Sequence, residues 1–167
     1  MKILVSACLL GHKVRYDGNA LTQANTDFDW LINNYQIIPF CPEVSAGLPT
    51  PRPPAEIRNG TGQDVLDGHS KIYSVDGKDL SAEFLLGAKL ALAQCQAHDI
   101  QFAVLTESSP SCGSGEIYYG EFNGTKQTGS GVTTALLRQN GIQVFSQHQL
   151  ELLRLALTNV LLSLSKT

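Results

Sequence analysis

KILVSACLLGHKVRYDG, residues 2–18, sets a short apolar run against a cysteine and then turns abruptly polar. The run Ile3 to Ala7 is nearly continuous in hydrophobicity and rich in β-formers, the pattern of a strand covered on both faces. Three more runs share that character: Gln36 to Phe40, Phe102 to Leu105 and Ile142 to Phe145. Helix-period sequence separates them, so the chain is expected to be α/β, in three layers, with a mainly parallel sheet flanked by helices.

The helices are placed by apolar spacing. Leu21, Ala24, Phe28, Leu31 and Ile32 repeat at three or four residues between the first two strands. Phe84, Leu85, Ala88, Leu92 and Cys95 do the same before the third, with Asp79 and Ser81 as candidate caps. Residues 131 to 139 suggest a short helix. The leucine-rich stretch from Leu150 to Leu164 is expected to pack on the sheet, with part of its stripe available for a homodimer contact. Residues 49 to 78 break this rhythm with four prolines and three Asn-Gly or Asp-Gly turns. The alternating segment Ser70 to Val75 predicts a small antiparallel excursion there.

The bulk properties set limits. The 167 residues suit one domain, taken as 1–167, and 43% hydrophobic with 16% charged residues describes a chain with a core. A net charge of −3 offers no basic face for long nucleic acid, which makes a small ligand the expected partner. The first apolar run is too short for a signal peptide or membrane span, so no membrane association is expected and a cytoplasmic location is. In that setting the four cysteines read as thiols.

Three of these thiols occupy related places. Cys8 follows the first strand, Cys41 the second, and Cys112 lies in the loop beyond the third. Ligands of open parallel sheets bind outside the carboxyl ends of the strands, so three such ends bring distant residues to one site. Cys95 instead completes a helical apolar stripe and reads as a small core hydrophobe. Three converging thiolates suit a metal centre or an iron-sulfur cluster with one coordination position left open. Unrelated buried thiols and a single nucleophilic cysteine remain open on spacing alone.

The neighbours add chemistry. Cys41-Pro42-Glu43 places a carboxylate within reach of the open position, although a loop glutamate is commonly just solvated. In Ser109-Pro110-Ser111-Cys112-Gly113-Ser114-Gly115, the glycines permit close backbone approach to a ligand; the same run would also make an ordinary polar turn. Asp17 and Arg52 supply polar groups after the first two strands, with Arg52 suited to a planar or anionic ligand or to an acidic neighbour. The four histidines share no ligand spacing.

SACLLGHKVRYDG (6–18), CPEVSAGLPTPRPP (41–54), SSPSCGSGEIYYGEFNG (108–124) and GVTTALL (131–137) resemble, in order, a bacterial family whose characterised members are thiouracil desulfurases. The resemblance implies a 4Fe-4S cluster held by Cys8, Cys41 and Cys112, with the fourth iron free to take sulfur. It also implies catalytic assistance from Glu43 and Ser109. From the residues themselves, substrate contacts are expected among Asp17, Arg52, Ser111 and Gly113. The function implied is non-redox desulfuration of a thiolated nucleobase such as thiouracil, with release of hydrosulfide. Two alternatives use the same residues: a zinc-thiolate hydrolase acting on a nucleobase-like substrate, and a non-catalytic cluster-based sulfur or redox sensor.

Overall fold

The computed structural model describes residues 1–164; positions 165–167, the end of the expected 1–167 domain, lie outside the described residues. In chain order the elements are β1 (Lys2–Ser6), a single 3-10 turn (Ala7–Leu10), α1 (Thr26–Asn34), β2 (Gln36–Phe40), α2 (Pro42–Ser45), β3 (Ala55–Arg58), α3 (Gly62–Leu66), β4 (Lys71–Ser74), α4 (Ser81–Ala97), β5 (Phe102–Leu105), β6 (Glu116–Tyr118), β7 (Lys126–Thr128), α5 (Val132–Gln139), β8 (Gln143–Ser146) and α6 (Leu150–Leu164). The four expected strands form one parallel sheet in the order β2-β1-β5-β8. From β2 the chain must cross back past β1 to reach β5. The crevice between β1 and β5 is therefore a topological switch point.

Alternation along the central strands divides the core. Ile3, Val5, Phe102 and Val104 face α1 and α6, through Phe28, Leu31, Leu150, Leu153 and Leu157. Leu4, Ala103 and Leu105 face the other way, onto Ala91 and Cys95 of α4 and Leu137 of α5. This is the three-layer arrangement expected. β2 departs from expectation in being only half-buried, because it is an edge strand, and Pro39 is tolerated there.

Other boundaries shift for local reasons. α1 begins at Thr26, leaving Leu21 and Ala24 outside it. The Leu21 and Gln23 amides instead donate to the Cys8 and Leu9 carbonyls, and Asn25 caps the helix by accepting the Phe28 N–H. Neither Asp79 nor Ser81 is the N-cap of α4; that position is Leu80. Asp79 accepts the Ser81 N–H in the first turn, while the Ser81 hydroxyl accepts from Ile72 of β4.

The antiparallel excursion is present, with β4 paired along its length to β3. A second ribbon, β6 with β7, was not anticipated, although Asn123-Gly124 between its strands is a turn signal. These ribbons share a third cluster, built on Ile57, Ile72, Phe84 and Ile117. On α6, Leu153 and Leu157 are buried, whereas Leu152, Leu155 and Leu161 are more than half exposed. No helix among the described residues is long and apolar enough to cross a membrane.

Candidate active site

The carboxyl ends of β1, β2 and β5 are level, since Ser6 pairs with Phe40 and Val5 with Val104. Each strand then releases a cysteine within a few residues. Cys8 lies in the 3-10 turn, Cys41 is the N-cap of α2, and Cys112 lies in the loop after β5. All three line one cavity of about 360 Å³. Cys95 does not; it sits in the core, where burial pushes its thiol up to about 11.

Burial also raises the other three thiols. For Cys8 it outweighs the lowering effects of the Thr106 hydroxyl, 2.9 Å from Sγ, and of the Arg15 charge. For Cys41 burial is again the leading cause, with the Glu43 and Cys8 charges adding to it. Cys112 is raised by burial and then by Cys41, Glu43 and Cys8, so the three sulfurs and this carboxylate share one electrostatic environment. Among the described residues, no three His, Cys, Asp or Glu side chains gather to hold a single metal ion.

Glu43 and Arg52 form a pair at this cavity. Arg52 Nη2 and Nε lie 2.6 and 2.8 Å from Glu43 Oε2, with the two side chains only 6% and 16% exposed. Arg52 is fixed further by the carbonyls of Val14 and Pro49 and by the Thr50 hydroxyl. Its guanidinium is thus committed to orienting Glu43. Both nitrogens use one carboxylate oxygen, and among the described residues nothing donates to Oε1.

Ser109 also lines the cavity. Its hydroxyl oxygen accepts the N–H groups of Ser111 (3.1 Å) and Cys112 (3.2 Å), so its proton remains available for donation. Asp17, Ser111 and Gly113 are not among the lining residues. Asp17 is exposed, accepting the Asn19 N–H and facing Arg15 at 3.9 Å. Ser111 is fully buried and bonds the Thr133 hydroxyl. A Cβ on Gly113 would lie 2.7 Å from the Glu116 carbonyl oxygen, so its close approach is to the loop itself.

Sequence reasoning missed Glu107 and Glu56, both of which line the cavity. Glu107 accepts the N–H groups of Ser108, Ser114, Gly115 and Glu116, and the Ser114 hydroxyl, gathering the loop that carries Ser109 and Cys112. Burial alone would raise its carboxyl; these backbone donors together bring it below the ordinary value. A carboxylate two residues past a strand end was the available signal for Glu107. Nothing local distinguished Glu56.

The fold is that of a mainly parallel α/β protein, and its cleft, lined by three thiols, lies at the switch point of the sheet. The particular family follows from comparison: the 2-thiouracil desulfurase family profile matches residues 3–149. The chain belongs to this family. It is 45% identical over 148 residues to the Bacillus subtilis (strain 168) protein YbbK, described as uncharacterized, covering 89% of this chain and 97% of that one. Among solved structures it is similar to the 4Fe-4S-dependent thiouracil desulfidase TudS, with a TM-score of 0.84 and 52% identity over 94% of this chain and 97% of the other.

Proposed function

We propose that this chain is an iron-sulfur-dependent desulfurase that converts a thiolated nucleobase such as thiouracil, with water, into the oxo base and hydrosulfide. The observation that carries this reading is the arrival of three thiols from three strand ends at one cavity, beside a glutamate oriented by arginine. The donor set fits a 4Fe-4S cluster held by Cys8, Cys41 and Cys112, because a cubane takes each thiolate on a different iron. A lone zinc ion needs its donors drawn around one centre, which disfavours the zinc-hydrolase alternative.

When bound, such a cluster supplies one iron without a protein thiolate, an electrophilic position for the thiocarbonyl sulfur. The protein's residues perform the remaining work. Glu43 takes a proton through Oε1 from the water that attacks the thiocarbonyl carbon, while Arg52 fixes the carboxylate plane. Ser109 donates its hydroxyl hydrogen to the substrate heteroatom on which negative charge develops. The carbon-sulfur bond breaks as the oxo group forms, and the proton held by Glu43 returns to a leaving or ring atom. Carbon keeps its oxidation state, so no electron donor is required.

The reading includes one desulfurase-like domain over 1–167 and a cytoplasmic setting suited to four free thiols. A homodimer through the exposed leucines of α6 belongs to the same proposal, and sedimentation reads it directly. The central test is the iron and sulfide content of anaerobically purified protein, followed by a sulfide-release assay with thiouracil. Cluster-loaded protein that binds thiouracil without releasing sulfide would instead support the sensor alternative.

A further inference from the structure

Three carboxylates line the cavity, and each is bound differently. Glu107 has both oxygens engaged by its loop, and Glu43 is held through one oxygen by Arg52. Glu56 lies on β3 with 8% of its surface exposed. Its Oε2 accepts the N–H groups of Gly120 (2.8 Å) and Phe122 (3.0 Å). Among the described residues nothing donates to Oε1. That oxygen is not sealed in protein either, because every fully buried side-chain oxygen or nitrogen among the described residues has a partner. Glu56 is also one of the residues that line the cavity.

The loop that Glu56 anchors completes the cavity wall with Tyr118, Phe122 and Gly124. Gly120 has φ 96°, and a Cβ there would sit 2.5 Å from the Ile57 carbonyl oxygen, so the loop can lie this close to β3 only with glycine. Phe122 has φ 53°, the left-handed region that a bulky residue rarely adopts. One carboxylate thus fixes a strained aromatic residue at the wall while keeping an acceptor for the cavity.

We propose that Glu56 is the substrate-recognition residue: Oε1 accepts a ring N–H beside the thiocarbonyl, with Phe122 against the ring. This deepens the desulfuration reading and rests on it. A thiouracil carries at least one ring N–H beside its C=S group. Ser109 offers a donor, Arg52 is taken up by Glu43, and Glu43 is the acceptor required by water. Glu56 is the carboxylate left to pair with the base. A base lacking that hydrogen leaves a desolvated acceptor unpaired, which is how a polar site rejects an analogue.

The test uses anaerobically prepared holoprotein and the E56Q variant. Glutamine's carbonyl can keep the Gly120 and Phe122 hydrogen bonds, and its amide then presents a donor where Oε1 accepted. The KM for thiouracil should rise about tenfold or more in E56Q, with kcat changing less and with iron content and visible absorbance unchanged. Calorimetric affinity for uracil, which shares the ring N–H groups, should fall by a similar factor. Wild type should disfavour thiouracil methylated on the nitrogen beside the thiocarbonyl, and E56Q should lose that preference. Wild-type KM and uracil affinity in E56Q, or equal use of the methylated base by wild type, would overturn the assignment. A loaded wild type that releases no sulfide defeats the desulfuration reading separately. In that case the calorimetry still decides Glu56: weaker uracil binding by E56Q sustains it, and equal binding, or none by wild type, rejects it.

Discussion

At the scale of single residues, the four cysteines divide by the elements that carry them. Cys8→Ser, Cys41→Ser and Cys112→Ser should each lose most of the iron, while Cys95→Ser keeps it, because only the first three line the cavity. Iron analysis with visible spectra checks the set; full loading in any of the three would remove that residue from the ligands. Burial raises all three cavity thiols, so the empty site carries protons that a metal must displace. Reconstitution should therefore strengthen with rising pH, more iron entering at about pH 8.5 than at about pH 6.5. Glu43→Gln should retain its cluster yet slow sulfide release by about 10²- to 10⁴-fold, since it keeps the carboxylate's shape without its basicity. The Cys-Pro-Glu spacing marked Glu43 as a candidate from the sequence. Its partner Arg52 was legible only as a cation, because the ion pair depends on how residues 46–51 turn back.

Among elements, the turn bearing Cys41 and Glu43 is seated on α4. A Cβ on Gly87 of α4 would meet the Pro42 carbonyl oxygen at 2.5 Å. Gly87→Ala should push α2 outward and destabilise the protein by about 1–3 kcal/mol, the usual cost of overpacking. A denaturant melt checks this, and a companion loss of iron would show that the displacement reaches Cys41. The loop after β5 has a different support in Glu107. Its folded-state carboxyl is lowered, so its contribution is present above the ordinary carboxyl range and is lost as pH falls through the folded-state value. Glu107→Gln should accordingly flatten the acid limb of the stability curve, which melts between about pH 3 and about pH 6 would read. The strands themselves were legible because hydrophobic runs between turns are local signals. The start of α1 was not, since the amides of Leu21 and Gln23 are claimed by carbonyls of the preceding 3-10 turn.

For the whole molecule, the sheet sets the positions of Cys8, Cys41 and Cys112 through strand register. Metal-free protein should therefore keep its far-ultraviolet circular dichroism, while loading raises Tm by more than about 5 °C through binding to the native state alone. Loss of secondary structure on iron removal would show that the cluster holds the strand ends together. The layered α/β class, the four parallel strands and the cysteines that follow their ends were all readable in the bare sequence, because strand period and connection rules act over short distances. The sequence also carried the motifs that place the chain in its family. It took the folded chain to show that Arg52 is spent on Glu43, that Asp17, Ser111 and Gly113 are not among the cavity-lining residues, and that Glu56 and Glu107 are. Those outcomes depend on hydrogen bonds and ion pairs between residues that folding brings together: the Glu56 carboxylate meets the amides of Gly120 and Phe122 across more than sixty positions of chain. No local pattern encodes such a meeting, since a side chain's partners follow from how strands and loops pack and not from the residues beside it.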